Sequence, residues 1–133
     1  MRVVGCFLEH DGKFLLLLRN THKPDGDTWG LPGGKVEAGE SDSQAIIREL
    51  REETGYNTAP AELEHLGDFQ FVSLRGEAFT YATFRVRLAQ SHSPQLEASA
   101  HRAFTWVTPE ECLAKTNLIS DLDSLLQLVG YIK

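Results

Sequence analysis

Cysteine is nearly absent from this chain: Cys6 and Cys112 are the only two in 133 residues. They stand far apart and outside any Cys-x-x-Cys or Cys/His spacing, so the sequence supports neither a disulfide framework nor a structural zinc site. Two buried free thiols are expected, in a reducing cytoplasm. Long apolar runs are missing too. Nothing approaches the roughly 20 residues needed to span a bilayer. The opening Met1 to Leu8 is too short for the apolar region of a signal sequence, and Glu9 and Asp11 follow at once. Neither a membrane nor secretion is expected. Positive charge is in deficit, with 13 Lys and Arg against 19 Asp and Glu and a formal net charge of -6. That balance argues against a nucleic-acid polymer as partner, because backbone binders work through Lys and Arg patches that release counterions. No internal repeat, low-complexity tract or Gly/Ser linker divides the chain, so residues 1–133 are expected to form one domain.

What is present reads as alternating strands and helices. Val3 to Leu8 and Lys13 to Arg19 are apolar β-formers on either side of Asp11-Gly12, a hairpin turn signal. From Asn20 to Gly34 the chain is rich in Gly, Pro, Asp and Thr and is predicted as loop, anchored by Trp29 and Leu31. Ser41 to Thr54 is predicted helical, opened by the Ser41/Gln44 capping-box pattern and closed by Gly55. Leu63 to Leu74, Ala78 to Leu88 and Ala103 to Val107 read as strands. Pro109 to Ala114 and Ile119 to Val129 read as helices. The sum is a mixed sheet with helices on its faces, an α/β chain.

The helix over Ser41 to Thr54 carries the chemistry. At 100° per residue, Ile46, Ile47 and Leu50 share one face with Ser43 and Thr54 between them, while Gln44, Arg48 and Arg51 point away. Glu49, Glu52 and Glu53 form a third stripe along the edge of the buried face. Like charges at i, i+3 and i+4 repel by about 0.2–0.5 kcal/mol per pair on an exposed helix. Two readings follow. The acids pair with Arg48 and Arg51 on a solvated face, or they converge on a hard divalent cation, which seeks carboxylate oxygens and keeps sites open for phosphate.

Residues 34–56 read GKVEAGESDSQAIIRELREETGY. This resembles the Nudix signature Gx5Ex7REUxEExGU, where U is a bulky aliphatic residue. Gly34, Glu40, Arg48, Glu49, Leu50, Glu52, Glu53 and Gly55 occupy the required places, and only Tyr56 departs, being aromatic. The approach Trp29-Gly30-Leu31-Pro32-Gly33-Gly34 and the later Trp106-Val107-Thr108-Pro109-Glu110-Glu111 are similar to the family's flanking segments. The resemblance implies a Nudix-type α/β/α sandwich, with the mixed sheet between helices. It also implies a hydrolase that cleaves a phosphoanhydride bond in a nucleoside triphosphate or in another nucleoside diphosphate linked to a further moiety. By the same resemblance, Glu49, Glu52, Glu53 and the Gly33 carbonyl are the Mg²⁺ ligands, with Mn²⁺ as a substitute. Arg48 and Glu40 form an ion pair that orients the cluster.

The general base stays open. Glu49 and Glu53 are the local choices. Related sequences often carry Glu followed by His shortly before the position of Trp106, where this chain has Ala100-His101. Glu97 and His101 are therefore the downstream alternatives, with a surface histidine as the plainer fate. Arg19 matches a position where the family often places a basic side chain facing the nucleotide phosphates, with a snorkelling strand-end charge as the alternative; Lys35, after the glycine pair, is a second phosphate candidate at a position with no assigned duty in the family. Asn117 and Asp121 resemble polar positions that contact the base in triphosphatase members. Phe69, Phe71, Phe79, Tyr81 and Phe84 lie on paired strands, as core or as a stacking surface. A nucleoside-diphosphate-sugar hydrolase is the rival enzyme reading, and a non-catalytic nucleotide-sensing module the rival outside enzymes. Such modules usually lose carboxylates from the signature, and this chain keeps all of them. Oligomeric state is not encoded in any of these features.

Overall fold

The structure is a computed structural model describing residues 1–133. Strands β1 (Arg2–His10) and β2 (Lys13–Arg19) form the first hairpin. Asp11 and Gly12 both take positive φ, 53° and 78°, as in the type I′ turn whose twist suits a two-residue hairpin. The strands pair only beside the turn, at Glu9↔Phe14 and His10↔Lys13, and then diverge. Two short strands fill the wedge where the sequence predicts loop. β3 (Trp29–Gly30) pairs with Leu17 and Leu18, and β4 (Gly33–Lys35) pairs with Val3 to Gly5. Their glycines argue against strand by propensity, but the open edges of β1 and β2 supply the ladder partners.

Helix α1 (Asp42–Thr54) follows, then a single 3-10 turn at Pro60–Glu62. β5 (Glu64–Val72) and β6 (Ala78–Arg87) make an antiparallel hairpin, and β6 runs parallel to β1 from Arg2↔Thr80 to Glu9↔Arg87. β7 (His101–Val107) pairs antiparallel with β2. The result is one mixed seven-stranded sheet. Helices α2 (Pro109–Leu113) and α3 (Leu122–Leu128) complete the chain.

The two faces of the sheet bury different layers. Val4, Cys6, Leu8, Leu15 and Leu17 pack with Ala45, Ile46 and Leu50 of α1. Phe7, Phe14 and Leu16 pack with Cys112 of α2 and with Leu122, Leu125 and Leu126 of α3. Strand alternation sends successive residues to opposite layers, giving the α/β/α sandwich. Burying a side chain the size of Leu50 or Ile46 stabilises by about 1.5–3 kcal/mol.

Local chemistry fixes α1. Ser41 Oγ accepts from Gln44 N at 3.1 Å, and Gln44 Oε1 accepts from Ser41 N at 2.9 Å; such a cap contributes about 1 kcal/mol. Gly55, at φ 76°, closes the helix by donating to the Arg51 carbonyl. Ser43, expected on the buried face, is exposed; that face is Ala45, Ile46, Leu50, Glu53 and Thr54. Tyr56 packs against the same layer, and its hydroxyl donates to Glu62 Oε2 at 2.6 Å. The last helix starts at Leu122 and not at Ile119. Trp29 N donates to Asn117 O and Ile119 N to Trp29 O, so this segment is paired with β3, and Asp121 at φ 72° turns the chain before α3. No helix is long and apolar enough to cross a membrane.

Candidate functional site

The site is built where β4 faces α1. Cys6 N donates to Pro32 O, and Val36 N donates to Arg2 O. In an antiparallel ladder these alternate positions face the partner strand, so Gly33 and Lys35 turn their N–H and C=O groups away from β1, toward α1. The contacts agree. Gly33 N donates to Glu53 Oε1 at 2.7 Å, and Lys35 O accepts from Arg48 Nη2 at 3.1 Å. Side chains are excluded here for steric reasons. A Cβ on Gly33 would collide with the Val4 carbonyl, and one on Gly34 would lie 2.6 Å from Glu49 Oε1.

Arg48 is the hub, contrary to its expected place on the solvent side of α1. Its guanidinium grips Glu40 bidentately, with Nε to Oε2 at 2.7 Å and Nη2 to Oε1 at 3.0 Å, which leaves Nη1 for Glu49 at 2.8 Å and Glu52 at 3.3 Å. The long side chain folds back along the helix edge and is only 16% exposed. Arg51, the other cation considered as a partner for these acids, makes no side-chain ion pair and is exposed. Arg48 holds Glu40 low, at about 2. Burial pushes Glu49 up against the opposing pull of Arg48.

Glu53 is different. Its carboxylate is buried, Gly33 N–H is its one hydrogen-bond donor, and Arg48 does not reach it. Burial, with added repulsion from Glu49 and Glu97, pushes it up to about 8. Its Oε2 faces His101 Nδ1 at 3.9 Å. His101 is buried, and burial with the nearby Arg19 and Lys23 charges holds it down at about 4. Both downstream residues singled out in the sequence thus lie beside the acidic edge, and His101 is not a surface histidine.

The three glutamates share the helix edge, but their carboxylates are engaged separately, Glu49 and Glu52 with Arg48 and Glu53 with Gly33. No three acidic, His or Cys side chains are gathered into one metal-ligating group. As a donor set they nevertheless fit a hard cation. All are oxygens, Glu53 lacks a cation partner, and the Gly33 carbonyl lies on the strand edge that faces them.

The candidate substrate contacts divide. Arg19 Nε donates to Pro24 O at 2.5 Å, close enough to the site for its charge to pull on Glu53. The Lys35 side chain is exposed and makes no ion pair. Asn117 Nδ2 donates to Asp27 O at 2.8 Å, which commits it to the loop before β3. Asp121 lines a cavity of about 240 Å³ on the α3 side of the sheet, with Gly30, Leu31, Phe71, Phe79 and Tyr81 among its walls. Of the five strand aromatics, Phe84 is core under α1 and Phe69 packs in the opposite layer. The other three form the cavity wall, with ring centroids 6.0–6.4 Å apart. Tyr81 reaches over Gly5, the register partner of Gly33, so the cavity ends beside the glycine strand.

A mixed sheet between helices thus sets an acidic helix edge, rich in oxygen donors, against a glycine-rich strand. The comparisons make the assignment specific. The NUDIX domain profile matches residues 1–129. The chain is 34% identical over 117 residues to the CTP pyrophosphohydrolase of Escherichia coli strain K12, covering 85% of this chain and 79% of that protein. It is 31% identical over 119 residues to phosphatase NudJ of Escherichia coli O1:K1 / APEC, covering 90% and 75%. The crystal structure of a MutT Nudix hydrolase from Burkholderia pseudomallei superposes with a TM-score of 0.82 at 27% identity, covering 97% of each chain. The chain belongs to the Nudix hydrolase family, enzymes that act on phosphorus-containing acid anhydrides with divalent metal ions.

Proposed function

We propose that this chain, acting as one domain, is a Mg²⁺-dependent pyrophosphohydrolase of nucleoside triphosphates or of nucleoside diphosphates carrying a further group. The observation that carries this reading is Glu53, a buried carboxylate with no cation partner, set against the Gly33 strand edge on the same helix edge as Glu49 and Glu52. Glu49, Glu52, Glu53 and the Gly33 carbonyl would hold the ion. Bound there, Mg²⁺ would neutralise charge on the phosphate oxygens and lower the pKa of a bound water.

The remaining work falls to side chains. Arg48, fixed by Glu40, sets the orientation of Glu49 and Glu52. The exposed ammonium of Lys35 and the charge of Arg19 would meet the phosphate chain. Phe71, Phe79 and Tyr81 offer flat apolar surface to the base, and the Asp121 carboxylate offers it a hydrogen-bond acceptor. Glu49, with Glu97 close enough to repel it, and Glu53 are the carboxylates available to take a proton from water.

The 34% identity to a CTP pyrophosphohydrolase supports trying pyrimidine nucleoside triphosphates first among substrates. The test is a Mg²⁺-supplemented panel of nucleoside triphosphates, oxidised dGTP, nucleotide sugars, ADP-ribose and dinucleoside polyphosphates, scored by product. Monophosphate plus pyrophosphate from a triphosphate is the expected pair. Turnover confined to nucleotide sugars would move the assignment to the sugar-nucleotide class.

A further inference from the structure

β7 does not meet β2 in even register. Leu15 pairs with Trp106, Leu17 with Phe104 and Leu18 with Ala103, but Arg19 pairs with His101, so Arg102 is an extra residue in the ladder. The bulge has a consequence for side-chain direction. Leu15 and Leu17 pack on the α1 side, as does Trp106, and an even ladder would bring Arg102 opposite Arg19 on that side. The extra residue instead sends Arg102 out to Asp27 and Thr21 and turns His101 inward to the acidic edge. Bulges re-aim single side chains in this way and concentrate beside functional sites.

The residue delivered there is unsatisfied. His101 Nδ1 is buried and has no hydrogen-bond partner, a state that a protein interior tolerates only for a reason. The group it faces is Glu53 Oε2, at 3.9 Å, and the other oxygen of that carboxylate already accepts from Gly33 N–H at 2.7 Å. The imidazole side chain is 7% exposed and the carboxylate 9%, so the two groups face each other where little bulk water reaches them. Neutral imidazole can carry its single proton on Nδ1.

We propose that His101 is a positioning residue for Glu53: closing the 3.9 Å gap would let its Nδ1–H donate to Oε2 while Gly33 N–H holds Oε1, so that two donors would fix the carboxylate's plane for metal ligation. The inference rests on Glu53 being a metal ligand, and its test separates the two.

Mn²⁺ affinity is measured by electron paramagnetic resonance, with the metal alone, for the full chain and for His101→Asn and His101→Leu. The amide nitrogen of Asn can stand near Nδ1, whereas Leu fills the space without a donor. Loss of a ligand's supporting partner typically costs about 10–100-fold in metal affinity. His101→Leu is expected to weaken Mn²⁺ by that factor, with kcat falling and nucleotide KM unchanged, and His101→Asn to recover most of the affinity. Native-like Mn²⁺ binding by His101→Leu would overturn the proposal. A second measurement needs neither metal nor a variant: ¹⁵N NMR of His101 at about pH 9.5, where an ionised Glu53 can only accept. A protonated Nδ1 supports the proposal and a bare Nδ1 overturns it, even if the native chain binds no Mn²⁺ and the metal reading itself fails.

Discussion

Replacing Glu53 by Gln keeps the shape of the side chain and removes its charge, and the effect on stability should depend steeply on pH. In the unfolded chain Glu53 ionises near 4.5; in the folded protein burial and the charges of Glu49 and Glu97 move that to about 8. Below the lower value both states hold the proton and the carboxyl makes no difference. Between the two, the folded state keeps a proton that the unfolded state has released, so stability declines as pH rises through this window. Above about 8 the loss is complete. At 1.36 kcal/mol per unit, a gap of about 3.5 units is worth about 5 kcal/mol. Gln escapes this cost, because it carries no charge at any pH and its carbonyl can still accept from Gly33 N–H. Thermal unfolding with EDTA, for both proteins at pH 5 and pH 8.5, reads it directly. At about 4 °C per kcal/mol for a chain of this size, Glu53→Gln should melt at least about 10 °C higher at the alkaline pH and within a few degrees at the acidic one. Equal melting temperatures at pH 8.5, or a less stable variant there, would refute the claim that Glu53 is an uncompensated buried acid.

The same geometry sets the outcome of further substitutions. Glu53→Gln should also lose Mg²⁺-dependent turnover while remaining folded by circular dichroism; native rates would remove Glu53 from the site. Arg48→Ala leaves Glu40, Glu49 and Glu52 without their shared cation and should lower urea stability by about 3 kcal/mol; a change under 1 kcal/mol would show that the hub is not structural. Gly34→Ala places a methyl against the Glu49 carboxylate and should cut kcat at least a hundredfold with little change in melting temperature, whereas Gly33→Ala strikes the Val4 backbone and should destabilise the fold itself. Phe79→Ala should raise nucleotide KM about tenfold, the equivalent of 1.4 kcal/mol of aromatic contact, with kcat preserved; an unchanged KM would place the base elsewhere.

Much of this was legible because it is local. Ser41 with Gln44 and Gly55 mark the ends of α1, and Asp11-Gly12 marks the hairpin, through capping and turn chemistry that neighbouring residues determine. The acidic stripe follows from helical period alone. Features set by distant partners were hidden. β3 and β4 exist because the edges of β1 and β2 splay apart, and nothing within Trp29 to Lys35 announces that. Helical period put Arg48 on the solvent side, but a long side chain folds back to reach Glu40 and Glu49. The start of α3 moved because Trp29 claims the backbone of Asn117 and Ile119. His101 is the clearest case: alternation along β7 assigns it to the wrong face, and only the bulge at Arg102 turns it toward Glu53.

The proposed metal site is the Glu49, Glu52 and Glu53 edge with the Gly33 carbonyl. Anomalous diffraction from crystals soaked in Mn²⁺ tests it most directly. A peak between that helix edge and the β4 backbone, lost in Glu53→Gln crystals, is the predicted result. A peak elsewhere, or one that persists without the Glu53 carboxylate, would mean that this edge does not hold the metal.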